Sequence, residues 1–385
     1  MNENDVLGFD PSQLSIYSQS EKPANSGNSL IYHTRPEESK SEDGVYRSTI
    51  KIIYNPFDFA NSIFEQQGYW LEDADGGFMV VSTLTNNDTS CPIFKAWKKC
   101  RYSDPGSVLW KQQAKSTEGG NELFNKRFSR YATIQVMQDK NHPELEGKYM
   151  FMKLPKSIYD VIKAKTNPSK ESGKCPIPIM DFLFGRSIDL EVKPGDGPKG
   201  SLEYRRGTSY FCEISEDTTC CTNPDKSPLL NTEEQTVLKN YVNAMRDVWK
   251  EKDPIMREKL LQTTVNADPN TAKLRSFYPS VIEKIKSFCP NVVEEFKYKE
   301  WEPAVSARVQ KWIDCVLAGN LPKEQAPSAA PEMKAMPSSD DVFGPMGVMP
   351  TSNVSHPTPP AQSTATVQTN SDPFAGTPDD DDLPF

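Results

Sequence analysis

Asn125-Lys126-Arg127-Phe128-Ser129-Arg130-Tyr131 alternates cations with aromatic rings, and Lys153 and Lys156 follow across the next apolar stretch. Lys and Arg heads neutralise phosphates by counterion release, and Phe or Tyr faces stack on unpaired bases at roughly 1–3 kcal/mol each. A single-stranded nucleic acid needs both. An ordinary strand with core aromatics and solvated cations has the same composition, so clustering must carry the signal. Arg186 and the run Tyr204-Arg205-Arg206 repeat the arrangement further on, and Lys98, Lys99 and Arg101 precede it around Trp97 and Tyr102.

The charge distribution supports the clustering. The chain's formal net charge is −9. Residues 91–210 nevertheless carry 22 basic against 13 acidic side chains, whereas residues 1–90 carry 5 against 14. Residues 211–320 carry 15 against 17, and residues 321–385 carry 2 against 9. A basic centre between acidic ends is the footprint of an anion-binding surface with an internal competitor.

That competitor is the tip Asp379-Asp380-Asp381-Asp382-Leu383-Pro384-Phe385. Four adjacent carboxylates have no use in a packed core, and solubility does not call for an apolar end. The acidic run suits competition for a basic groove, and the terminal aromatic suits a basic-rimmed pocket on a partner. Of the 32 prolines, 12 lie in residues 321–385 among Ser, Thr, Ala and Gln, a composition expected to form a flexible tether.

Other chemistries are weakly represented. Nucleotide-loop, serine-hydrolase and metalloprotease motifs do not occur, and three histidines leave little for acid–base catalysis, so a non-enzyme is expected. Cys91-Pro92 with Cys100 is a weak zinc candidate, because structural zinc needs four convergent ligands and usually a short Cys-x-x-Cys knuckle. No cofactor is expected. With no apolar run near 18 residues, no membrane association is expected, and the eight cysteines read as free thiols.

Periodicity supplies the elements that must position these groups. Strands are expected at 45–54, 68–72, 78–82, 128–138, 147–154, 181–192 and 201–214, with helices at 94–101 and 157–165. Many short strands with few helices predict a mainly β fold with α additions: a partly open β-barrel of the oligonucleotide-binding (OB-fold) type over residues 45–230. Residues 1–44 read as a flexible arm anchored near Leu30-Ile31-Tyr32. Residues 231–320 read as a helical appendage, and 321–385 as a disordered tether with its acidic tip.

On these motifs the middle of the chain resembles the T4-type phage single-stranded DNA-binding (helix-destabilising) proteins. The matching runs are Lys126 to Ala132, His142-Pro143-Glu144-Leu145-Glu146-Gly147-Lys148 and Lys156-Ser157-Ile158-Tyr159-Asp160-Val161-Ile162, with Ser90-Cys91-Pro92 and the 185–193 strand leading to Tyr204. The resemblance covers roughly residues 44–290. It implies a cleft for single-stranded DNA with Lys126, Arg127, Arg130, Tyr131, Lys153 and Tyr204 at its basic and aromatic positions. It also implies a role in replication, recombination and repair in the cytoplasm of an infected host cell.

The chain departs from that family twice. The zinc knuckle keeps only Cys91, with Phe94 at the next ligand position and Val81 near the earlier one. The basic N-terminal arm is replaced by Met1-Asn2-Glu3-Asn4-Asp5, so cooperative coating does not carry over. The tip is similar to that of bacterial single-stranded DNA-binding proteins and implies docking to replication and recombination proteins. A single-stranded RNA-binding regulator on the same fold, or an adaptor for an acidic partner, are the alternatives. Arg127→Ala and Tyr131→Ala are both expected to weaken strand binding.

Overall fold

The computed structural model describes residues 30–113, 122–169, 172, 174–199 and 201–322. The arm before Leu30, the tether from residue 323 and the tip Asp379–Phe385 lie outside the described residues.

Seven antiparallel strands form the centre: β1 (Tyr46–Ile53), β2 (Ile63–Asp73), β3 (Gly76–Val81), β4 (Lys126–Asp139), β5 (Tyr149–Leu154), β6 (Arg186–Lys193) and β7 (Ser209–Thr218). The long β4 organises them. Ala132 lies between Ile63 and Met152, and Thr133 between Ile53 and Phe151, so β2 and β1 share one edge of β4 end to end while β5 takes the other. β3 extends the β2 side, and β6 then β7 extend the β1 side. The ladder path runs β3-β2-β4-β1-β6-β7 without rejoining its ends, so the sheet is open. The Leu30–Tyr32 segment is anchored as its sequence suggested: Tyr32 N–H donates to the Phe151 carbonyl at 2.6 Å, and Phe151 N–H to that of Leu30 at 2.8 Å. Tyr32 and Tyr46 hydroxyls both donate to buried Asp139, at 2.7 and 2.6 Å.

The helices are α1 (Pro92–Arg101), α2 (Val108–Gln112), α3 (Lys156–Thr166), α4 (Leu202–Arg206), α5 (Thr232–Lys250), α6 (Pro254–Leu260), α7 (Pro269–Lys286), α8 (Val292–Phe296) and α9 (Pro303–Leu317), with a π-helical turn at Leu261–Val265. They occupy more of the described residues than the strands do, which shifts the balance from the mainly β expectation towards a sheet with extensive helical cover. Two expected strands differ. Residues 181–185 form a turn before β6, and residues 202–206 are helical because Ser201 Oγ accepts from Tyr204 N–H at 3.1 Å and starts a helix.

The 231–320 helices share their cores with the strands. α5 and α7 join Ile53, Tyr149 and Phe182 in the largest apolar cluster, and α9 joins Tyr69, Leu71 and α1 in another. Val292 and Phe296 of α8 pack on Phe64 and Phe151.

Gly147, in the turn between β4 and β5, has φ +87°, and a Cβ there would stand 2.6 Å from the Pro224 carbonyl oxygen. Both strain and clash oppose any side chain. Gly147→Ala is expected to cost on the order of 1–3 kcal/mol, read as a lower urea midpoint at unchanged m-value.

Candidate nucleic-acid interface

Strand parity divides the basic-aromatic run between two faces of β4. Lys126, Phe128 and Arg130 share a face with Ala132, Ile134 and Val136; Arg127, Ser129 and Tyr131 take the other. On the first face the Ala132 end belongs to a core formed with Ile50, Ile52, Ile188 and Ile158 and Ile162 of α3. The Lys126 end abuts a second core, in which Tyr69, its partner on β2, packs with Leu123, Ile93 of α1 and Trp312 of α9.

Between the two cores lies a floor that is partly exposed among the described residues. Glu65 and Gln67 of β2 stand opposite Arg130 and Phe128 of β4, and all four are at least partly exposed. From Ile63 to Tyr69 the floor spans seven residues, about 20 Å at strand rise.

Cations and rings meet along this floor. Lys126 Nζ stands 4.6 Å from the Phe128 ring centroid, and the Arg130 guanidinium lies 4.5 Å over the Tyr159 ring of α3. Arg130 also pairs with Glu65 at 3.2 Å. At the flank, Lys98 Nζ is 4.6 Å from Phe94, whose ring stacks on Trp97 at 5.8 Å with 10° between planes. α1 presents this edge because Ile93, Ala96 and Cys100 bury one stripe, which leaves Lys95, Lys98, Lys99 and Arg101 exposed. Arg101 donates to Gln113 Oε1 at 2.9 Å. The basic last turn also complements the negative C-terminal end of the helix dipole.

The opposite face is differently used. Tyr131 stacks on Phe296 of α8 at 3.7 Å and 6°, so α8 covers a ring face that a base would need. Burial pushes the Tyr131 hydroxyl up, against a hydrogen bond with Ser129 that lowers it. Arg127, opposite Gly68, and Lys153, opposite Tyr131, belong to this face. Lys156 opens α3 on its exposed side.

Several other expected site residues are placed away from the floor. The Arg186 guanidinium is buried 4.8 Å over the Trp249 ring, and burial lowers its affinity for a proton. Tyr204 is buried on α4 rather than displayed on a strand, and Arg205 is exposed but paired with Glu37 at 3.2 Å. The Arg206 side chain lies outside the described residues. Glu65 and Gln67 complete the floor without having been singled out from sequence, and Tyr159, which the sequence named only within a matching run, joins them. Strand parity would have separated Phe128 from Tyr131, but only the β2 register adds Glu65 and Gln67.

Zinc does not fit the donors among the described residues. Cys91 and Cys100 are fully buried among Ile93, Ala96 and Trp312, and among the described residues no group of three or more His, Cys, Asp or Glu could hold a metal ion. All eight cysteines are free thiols. No helix among the described residues is long and apolar enough to cross a membrane. Neither a protein-family model nor a curated protein matches the chain.

Proposed function

We propose that this chain is a non-enzymatic, sequence-independent single-stranded DNA-binding protein of phage replication, recombination and repair, which coats and protects strands. The carrying observation is the partly exposed β2–β4 floor, where Lys126/Phe128 and Arg130/Tyr159 bring cations and rings together between two packed cores. Phosphates would be neutralised by Lys126 and Arg130, with Lys98 and Lys99 at the flank, while bases stack on Phe128. One long strand shared between two ladders suits the partly open oligonucleotide-binding barrel that the sequence resemblance implies. The acidic tip would recruit replication and recombination partners through Phe385 and compete for the floor through Asp379–Asp382.

Titration of full-length protein with oligo-dT tests the reading. Tryptophan fluorescence should quench on binding, and log K should fall linearly with log[salt], by about 0.7 per phosphate neutralised. Deleting Asp379–Phe385 should tighten binding at low salt and abolish partner recruitment. Absence of salt-dependent binding to oligo-dT would retire the proposal.

A further inference from the structure

Resting on the single-stranded DNA reading, we infer that Glu65 is a built-in competitor on the floor, holding the Arg130 group that a backbone phosphate must take. Glu65 and Arg130 are directly opposite in the β2–β4 register, on the same face, and their ion pair closes at 3.2 Å. The Glu65 side chain is 43% exposed and that of Arg130 25%. An incoming strand can therefore reach the pair from solvent.

The geometry makes this an exchange rather than a side-by-side arrangement. The guanidinium plane rests on the Tyr159 ring, and Arg130 Nε is buried without a hydrogen-bond partner. Arg130 is thus buried on its inner side and held over its face by the Tyr159 ring. Nη2 is the group that pairs with Glu65 across the β2–β4 ladder. A phosphate oxygen that displaces Glu65 inherits a guanidinium already oriented by Tyr159, and charge-assisted bonding to a planar fork favours that replacement. A pair this exposed is weak enough to open, holding by a factor of about five or less. It nevertheless keeps Arg130 neutralised while the floor is empty and returns Glu65 to it when the strand leaves.

The bland account is an ordinary cross-strand pair that only steadies β2 against β4. The two accounts predict opposite results for Glu65→Gln, which preserves shape and hydrogen bonding while removing the charge. If Glu65 competes, displacing it in the native protein leaves a free carboxylate that gathers a cation, which reduces the net ion release. E65Q removes that uptake.

The experiment is an oligo-dT titration across a salt series for the wild-type protein, E65Q, R130Q and E65Q/R130Q. E65Q should bind about 2- to 5-fold tighter at low salt, with a steeper slope of log K against log[salt]. Adding E65Q to R130Q should change affinity less than about twofold. Unchanged or weaker binding by E65Q, with the wild type binding normally, overturns the competitor role and leaves the DNA reading standing. An equal gain in both backgrounds also overturns it, because Glu65 would then act by general repulsion and not through Arg130. Failure of the wild type to bind removes the DNA reading and the competitor with it.

Discussion

Replacing Phe128 with alanine is expected to weaken oligo-dT binding by roughly 5- to 150-fold, while Tyr131→Ala leaves the affinity of the folded protein near the wild-type value. Losing one base–ring stack costs about 1–3 kcal/mol, which sets the first range. Phe128 is on the floor, partly exposed beneath Lys126. Tyr131 faces the other way and already stacks on Phe296, so its removal opens a void among Phe64, Phe151 and Phe296. That loss should appear as stability, on the order of 2–4 kcal/mol by urea denaturation. Fluorescence titration and denaturation of both variants would separate the two roles. Matched losses of affinity in the two variants would refute the assignment of faces.

A second large effect is expected from Lys51→Met. Lys51 lies in β1 with no exposed surface, and its Nζ has no hydrogen-bond partner. A Cβ added to Gly185 would stand 2.5 Å from that nitrogen, so the amine is pressed against the turn before β6. Asp181, Cys220, Cys221 and Arg186 are the ionisable groups acting on it. Burial drives Lys51 towards its neutral form, lowering its pKa from 10.5. Between the lowered folded value and 10.5, the unfolded chain holds a proton that the folded chain lacks, so native stability rises with pH across that window.

Methionine has similar reach and no charge, and K51M should gain on the order of 1–3 kcal/mol at neutral pH. The advantage should be largest at low pH and disappear above about 10.5. Asp181 contributes with the opposite sign. Burial raises its pKa above 3.8, although the Tyr278 hydroxyl donates to it at 2.7 Å and the Leu183 and Phe184 N–H groups donate at 2.8 and 3.1 Å. The folded chain therefore binds the extra proton, and stability falls as pH rises above 3.8 towards the folded value. That slope should persist in K51M. Denaturation midpoints at several pH values would check both signs, and a destabilised K51M would show that the amine has a role in the fold.

Local patterns determined much of the architecture. Alternation in 45–54, 128–138 and 147–154 placed β1, β4 and β5 to within a few residues, and apolar spacing placed α1 and α3. The anchoring of Leu30–Tyr32 was also legible, because an apolar pocket of sequence inside a polar arm has few other uses. Period-two alternation even contains the separation of Lys126, Phe128 and Arg130 from Arg127 and Tyr131. Both depend on chemistry within a few residues of chain.

Tertiary structure alone decided which face stays open. Tyr131 is covered by a five-residue helix more than 150 positions later, and Arg186 is taken by Trp249 from α5. Glu65 reaches Arg130 only through the β2–β4 register. Exposed cations and buried ones have the same local sequence signature, because burial is set by what the rest of the chain places above them. The sequence alone determined that basic and aromatic groups would alternate along one strand; long-range packing determined that Tyr131, and not Phe128, is covered by Phe296.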